Sequence, residues 1–141
     1  MGELPVVAVW QQVTHRLLAA LEDEVSDLGL SAAEINALAC FGGEESRTVG
    51  QLVAATAQRP STLTGVLDRL ERRGLIERTS NPADRRSVLV RLTQSGRVTA
   101  ARVAGAFADL ERRLPVDDVR RLLSVLDEAV DTRHAVVTRA N

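Results

Sequence analysis

Apolar residues recur at spacings of three and four from Pro5 to Leu28: Val6, Val9, Trp10, Val13, Leu17, Leu21, Val25 and Leu28. That period marks one face of a helix, and Gly29 supplies its stop. SAAE at 31–34 follows. Ser31 as cap and Glu34 reaching back form a capping box. Ile35, Leu38 and Phe41 make the apolar face of this second helix, which Gly42 and Gly43 end. TVGQ at 48–51 repeats the device with Thr48 and Gln51, and predicts a short third helix from Val49 to about Thr56. After the tight link AQRP, Ser61 is the expected cap of a fourth helix. Leu63, Val66, Leu67 and Leu70 form its inward stripe; Ser61, Thr62, Thr64, Gly65, Asp68, Arg69, Arg72 and Arg73 are left outside, and Gly74 stops it.

The period then changes. Residues 75–80 and 87–92 read as strands, with Val88, Val90 and Leu92 on one face. NPADRR at 81–86 is the hairpin tip between them. Thr93 restarts helix, with Val98, Ala101, Ala104, Phe107, Ala108 and Leu114 running to Pro115. A last helix runs from Val116 to about Thr138 and carries Val119, Leu122, Leu123, Leu126, Ala129, Val130 and Val137. The predicted fold is mainly α with a small β-hairpin wing. Residues 31–93 form a winged helix-turn-helix, and residues 1–30 and 94–141 form a flanking helical dimerisation region. Three long amphipathic helices at the chain ends cannot all bury their stripes against so small a core. A second copy of the chain would cover them, so a homodimer is expected.

Composition refines this picture. The 141 residues suit one domain, or one with helical extensions, and 45% are hydrophobic with only Trp10, Phe41 and Phe107 aromatic. The core must be aliphatic. No apolar run reaches the roughly 20 residues that span a membrane. MGELPVVAVW has an acid and no positive charge, which is no secretory signal. The single cysteine, Cys40, precludes an internal disulfide and suits a reducing cytoplasm. It is expected to pack as a small hydrophobe.

All 18 basic residues are arginine, and the net charge is −1. The distribution is uneven. Residues 59–91 hold eight arginines and four acids, so that segment is +4 and the remainder −5. Such a field attracts a polyanion at one place. The fourth helix offers a slender polar face, Ser61, Thr62, Thr64 and Gly65, of the kind a major groove accepts. Arg59 just before it and Arg69 two turns in are candidates for phosphate or guanine. Arg85 and Arg86 sit at a tip narrow enough for a minor groove, where the negative potential favours arginine. Asp84 is expected to pair with a neighbouring arginine and hold the tip in shape.

STLTGVLDRLERRGLIERTSNPADRRSVLVRLTQSGR resembles the MarR (multiple antibiotic resistance regulator) family. The helix ending LDRLERRGLIER, the wing NPADRRSVLVRLT and the following T-x-x-G carry the likeness; the chain ends match only in pattern. The resemblance implies a dimeric winged-helix transcription regulator, usually a repressor, released from its double-stranded DNA operator by a small ligand or oxidant; with the reducing compartment that Cys40 suits, a cytoplasmic location is expected. It places Asp84 and Arg86 in the wing Asp-x-Arg, and Ser61, Thr62, Thr64 and Arg69 on the recognition helix. It also implies an effector pocket where the first and fifth helices meet the winged helix. Val13, His15, Arg16 and Leu17 are the first-helix candidates, and a small apolar anion would suit them. One branch of the family senses peroxides through a cysteine near the start of the first helix, and this chain has none there. No ligand-spaced cluster surrounds His15 or His134, so neither a metal nor a cofactor is expected. No phosphate loop and no catalytic set appears, so no enzyme is expected. The alternative to a DNA regulator is a dimeric winged-helix module that binds protein, which would need neither the wing arginines nor the small-hydroxyl face.

Overall fold

The computed structural model describes the backbone of residues 4–139 and the side chains of residues 4–130. The elements run α1 (Val6–Glu24), a 3-10 turn (Ser26–Leu28), α2 (Ala32–Ala39), β1 (Ser46–Thr48), α3 (Val49–Thr56), α4 (Pro60–Arg72), β2 (Ile76–Ser80), β3 (Val88–Leu92), α5 (Gln94–Glu111) and α6 (Val116–Arg139). Two compact units are present, Met1–Phe107 and Ala108–Asn141.

Both capping boxes form. Ser31 N–H donates to Glu34 Oε2 at 2.8 Å, and Glu34 N–H donates to Ser31 Oγ at 3.3 Å. Thr48 and Gln51 make the same reciprocal pair at 2.9 and 3.1 Å. The predicted first helix is shorter than its stripe: α-helix ends at Glu24, and a 3-10 turn carries the chain to Gly29 in the left-handed region. The expected Ser61 cap is not made. Pro60 begins α4 and Arg59 is its N-cap, with no side-chain capping bond. Proline fixes φ and lacks an N–H, which suits the first helical position and moves the start two residues earlier.

The first unit's core is aliphatic, as composition requires. Ile35, Leu38, Phe41, Leu52, Leu63, Val66, Leu67, Leu70, Ile76, Val90 and Val103 are essentially inaccessible. The wing is a three-stranded antiparallel sheet in the order β1-β3-β2. Arg47 and Arg78 flank Val90 in register. β1 was not expected. Three residues are too few to show a period of two, and its pairing with β3 comes from tertiary contact. On β3 the predicted face splits: Val90 and Leu92 are buried, but Val88 is exposed.

α5 is set against the wing by the T-x-x-G. Thr93 Oγ1 accepts Gly96 N–H at 3.0 Å and donates to Gly74 O at 2.6 Å. A Cβ on Gly96 would collide with the Leu75 carbonyl. The buried residues of α5 are Gly96, Val103 and Ala106. The predicted stripe Val98, Ala101, Ala104 and Ala108 is exposed, and Phe107 half-buried. The first unit exposes Leu4, Val6, Val7, Val9 and Val13. In the second, Leu114, Leu122, Leu123, Val125, Leu126 and Val130 are exposed. The side chains of His134 and Val137, and Met1–Glu3, lie outside the described residues.

Candidate nucleic-acid interface

The turn between α3 and α4 is held by Thr56. Its hydroxyl donates to Leu52 O at 2.7 Å and accepts Gln58 N–H at 3.4 Å. Ala57 takes φ 54°, a left-handed conformation that lets the chain reverse within three residues. α4 then projects Arg59, Ser61, Thr62 and Thr64 into solvent, with Gly65 partly covered. Thr64 Oγ1 donates to Pro60 O at 2.9 Å. Its proton is thus spent on the helix, leaving an oxygen that accepts and a methyl group. That pair suits a base edge offering an amino group or a thymine methyl.

The wing tip is built by short polar side chains. Asn81 Oδ1 accepts Ala83 N–H at 3.0 Å, and Asn81 Nδ2 donates to Ser87 Oγ at 2.9 Å. Asp84 Oδ1 accepts the backbone N–H of Arg86 at 3.0 Å. The expected pairing of Asp84 with a guanidinium is not seen. The carboxylate shapes the turn through the main chain, and the Arg85 and Arg86 side chains are exposed.

Sequence reading missed what ties the wing to α4. Arg78 on β2 donates through Nη2 to Glu71 Oε2 and Asp68 Oδ1, each at 2.6 Å, and through Nε to Glu71 Oε2 at 3.1 Å. Its backbone N–H also reaches Glu71 Oε1 at 3.2 Å. The hydrogen bond from Arg78 holds the Glu71 carboxyl below its usual pKa. One arginine therefore fixes the hairpin relative to the recognition helix. The signal was present, since acids one turn apart on α4 precede a strand arginine, but only the fold brings them together. Between wing and helix lies a cleft of about 680 Å³ lined by Val49, Gly50, Thr64, Leu67, Arg78, Arg86, Ser87 and Val88.

Arg69 lies on the other flank of α4. Its Nε is 3.5 Å from Oε1 of Glu34, which is 4% exposed. Arg73 approaches Glu34 Oε2 at 3.7 Å and donates to the carbonyls of Leu28 and Gly29. A second long-range pair joins Arg102 of α5 to Asp27 of the 3-10 turn, and the Arg102 hydrogen bond lowers the Asp27 pKa.

His15, Arg16 and Val13 are exposed and Leu17 is half-buried. A cavity of about 310 Å³ opens where α2 meets α5, with apolar walls that include Leu38, Phe41, Leu92 and Ala101, and with Glu44, Glu45 and Arg97 as its charged groups; no residue of α1 lines it. Cys40 is half-buried, and desolvation raises its pKa. Its thiol donates weakly to Asn36 Oδ1. Among the described residues no cluster could hold a metal ion, and no helix is long and apolar enough to cross a membrane.

The MarR family profile matches residues 28–87, which is α2 through the wing tip. The HTH-type transcriptional repressor MdtR of Bacillus subtilis is 31% identical over 113 residues, 79% of this chain and 70% of MdtR. The chain belongs to the MarR family. Its fold matches a mutant MarR of Escherichia coli complexed with operator DNA, at TM-score 0.69 and 27% identity over 89% of this chain and 94% of that one. It also matches BpsR of Bordetella bronchiseptica, whose structure concerns regulation of DNA binding by 6-hydroxynicotinic acid, at TM-score 0.72 and 25% identity over 92% and 99%. This MarR-family chain therefore has a mainly helical winged-helix fold of the kind seen on operator DNA in its relative.

Proposed function

We propose that this chain is a ligand-responsive transcriptional repressor that binds a pseudo-palindromic operator as a homodimer, and is not an enzyme. The observation that carries the reading is the pairing of two surfaces by Arg78. The slender face of α4 and an arginine-tipped wing are locked together across one cleft. That spacing fits a helix in the major groove and a wing in the neighbouring minor groove, with the phosphate backbone between. Arg59, Ser61, Thr62, Thr64 and Gly65 face the major groove in this reading. Arg85 and Arg86 serve the minor groove, and Asp84 keeps their turn in shape. A protein-binding module would have no use for a charged tip whose arginine side chains stand exposed.

The apolar faces left exposed at 4–13 and 114–130 support the homodimer. The cavity between α2 and α5 supports an effector site: its walls are largely apolar and Arg97 lines it, with Glu44 and Glu45 beside it and Glu45 facing Arg97 at 3.9 Å, so a small carboxylate would have to displace Glu45 from that cation. The test is binding to the DNA upstream of the protein's own gene. A preferred duplex with two-fold symmetry supports the reading. Equal binding to every duplex, or to none, overturns it.

A further inference from the structure

Glu34 is a buried carboxylate that DNA binding, as described above, does not use. It is 4% exposed and lies between two arginines of the recognition helix. Its two oxygens are divided. Oε2 accepts Ser31 N–H in the capping box, and Oε1 faces Arg69 Nε at 3.5 Å. Arg73 has its own anchors in the carbonyls of Leu28 and Gly29. Among the described residues, Glu34 is the one side chain that holds Arg69. The Arg69 guanidinium also lies alongside Gly65, where an added Cβ would be 3.8 Å from Nη1. Gly65 is on the face offered to DNA, one turn toward the N-terminus of α4. Arg69 thus brings Nε to 3.5 Å from a buried anion, with Nη1 beside the reading face and 46% of its side chain exposed.

We infer that Glu34 is a positioning residue for sequence discrimination: it turns Arg69 from a free cation into a fixed, charge-compensated contact. This rests on the DNA-binding reading. An unrestrained arginine on this face would seek any phosphate and add salt-dependent, sequence-independent affinity. A restrained one offers donors in one direction, which favours particular bases over others. The buried carboxylate reaches the helix from α2, so the second helix participates in specificity without touching DNA.

Glu34→Gln separates this role from capping. Glutamine still accepts Ser31 N–H at the third helical position. Its amide group then faces Arg69 donor to donor and releases it. The expected result is tighter binding to a non-operator duplex, with the log–log salt slope steeper by about 0.9 per protomer. The operator-to-random preference falls. Arg69→Ala should lower operator affinity and leave the non-operator slope at the wild-type value, and Glu34→Gln with Arg69→Ala should match Arg69→Ala alone. A Glu34→Gln protein with wild-type slope and preference overturns the inference. If that variant does not fold, Arg69→Ala decides alone: a non-operator slope shallower by about 0.9 per protomer means that Arg69 is already a free phosphate contact, and overturns it too. Wild-type protein that binds no duplex overturns the DNA-binding reading and this inference with it.

Discussion

The Asp84 carboxylate accepts the backbone N–H of Arg86 at 3.0 Å, so the wing's acid supports the main chain of the arginine while the Arg86 side chain stands exposed. The two residues have separable roles. Arg86→Ala should weaken operator binding and make the salt slope shallower by about 0.9 for each wing lost. Asp84→Ala should weaken binding through a looser tip while keeping the slope, and Asp84→Asn, which retains an acceptor, should be milder. Salt titrations by fluorescence anisotropy distinguish the three. Identical slopes for Arg86→Ala and wild type would show that the wing arginine meets no phosphate.

The pin between wing and recognition helix predicts an acid sensitivity. Glu71 has a lowered folded pKa because Arg78 bonds its charged form. A carboxyl with a depressed folded pKa stabilises the fold above its unfolded value, near 4.5, and loses that contribution as pH falls through the lower folded value. Chemical denaturation between about pH 6 and pH 3 should therefore show a shallower loss of stability for Glu71→Gln than for wild type, with the variant less stable at neutral pH. Parallel curves would mean that the pin does not persist in solution.

Much of this was legible in the sequence, for local reasons. Capping boxes, glycine stops and apolar periods are set by residues three or four apart, so α2, α3 and the α4 stripe were readable. What was missed depends on distant residues. β1 exists because β3 offers it a ladder. Asp84 was assigned a guanidinium partner because charge is visible in a sequence and turn geometry is not. On the buried face of α5, Gly96, Val103 and Ala106, the glycine is selected by close approach to Leu75, and a stripe of many alanines gives periodicity little contrast. Arg78, Glu71 and Asp68, and likewise Glu34 with Arg69, are neighbours only once α2, α4 and the wing have packed.

The exposed apolar side chains at both ends of the chain predict an assembly of two. Sedimentation at micromolar concentration should give about twice 15.2 kDa. Leu126→Asp should dissociate it, since a charge at a face closed by a partner is costly. The same variant should lose operator binding, because two half-sites need two protomers. A wild-type chain that is folded and monomeric at that concentration contradicts the dimer.

The cavity between α2 and α5 predicts a reciprocal effect. A small aromatic or aliphatic carboxylate that lowers operator affinity must itself bind more weakly, by the same factor, when operator is present. Arg97→Ala should reduce carboxylate affinity, Glu45→Gln, which removes the acid that faces Arg97 at 3.9 Å, should raise it, and both should leave operator binding without ligand near wild type. Calorimetric titration with and without operator tests both statements. Carboxylate binding with no coupling to DNA would mark the cavity as adventitious.

In the proposed function, α4 and the wing together read DNA as a two-fold dimer. Its most direct measurement is the salt dependence and stoichiometry of binding to the duplex upstream of the protein's own gene, against a scrambled duplex of equal length. The expected result is two protomers per site, half-sites about 10 bp apart, and affinity that falls steeply with salt on both duplexes while the upstream one stays preferred. One protomer per site, or affinity independent of salt and sequence, would contradict it.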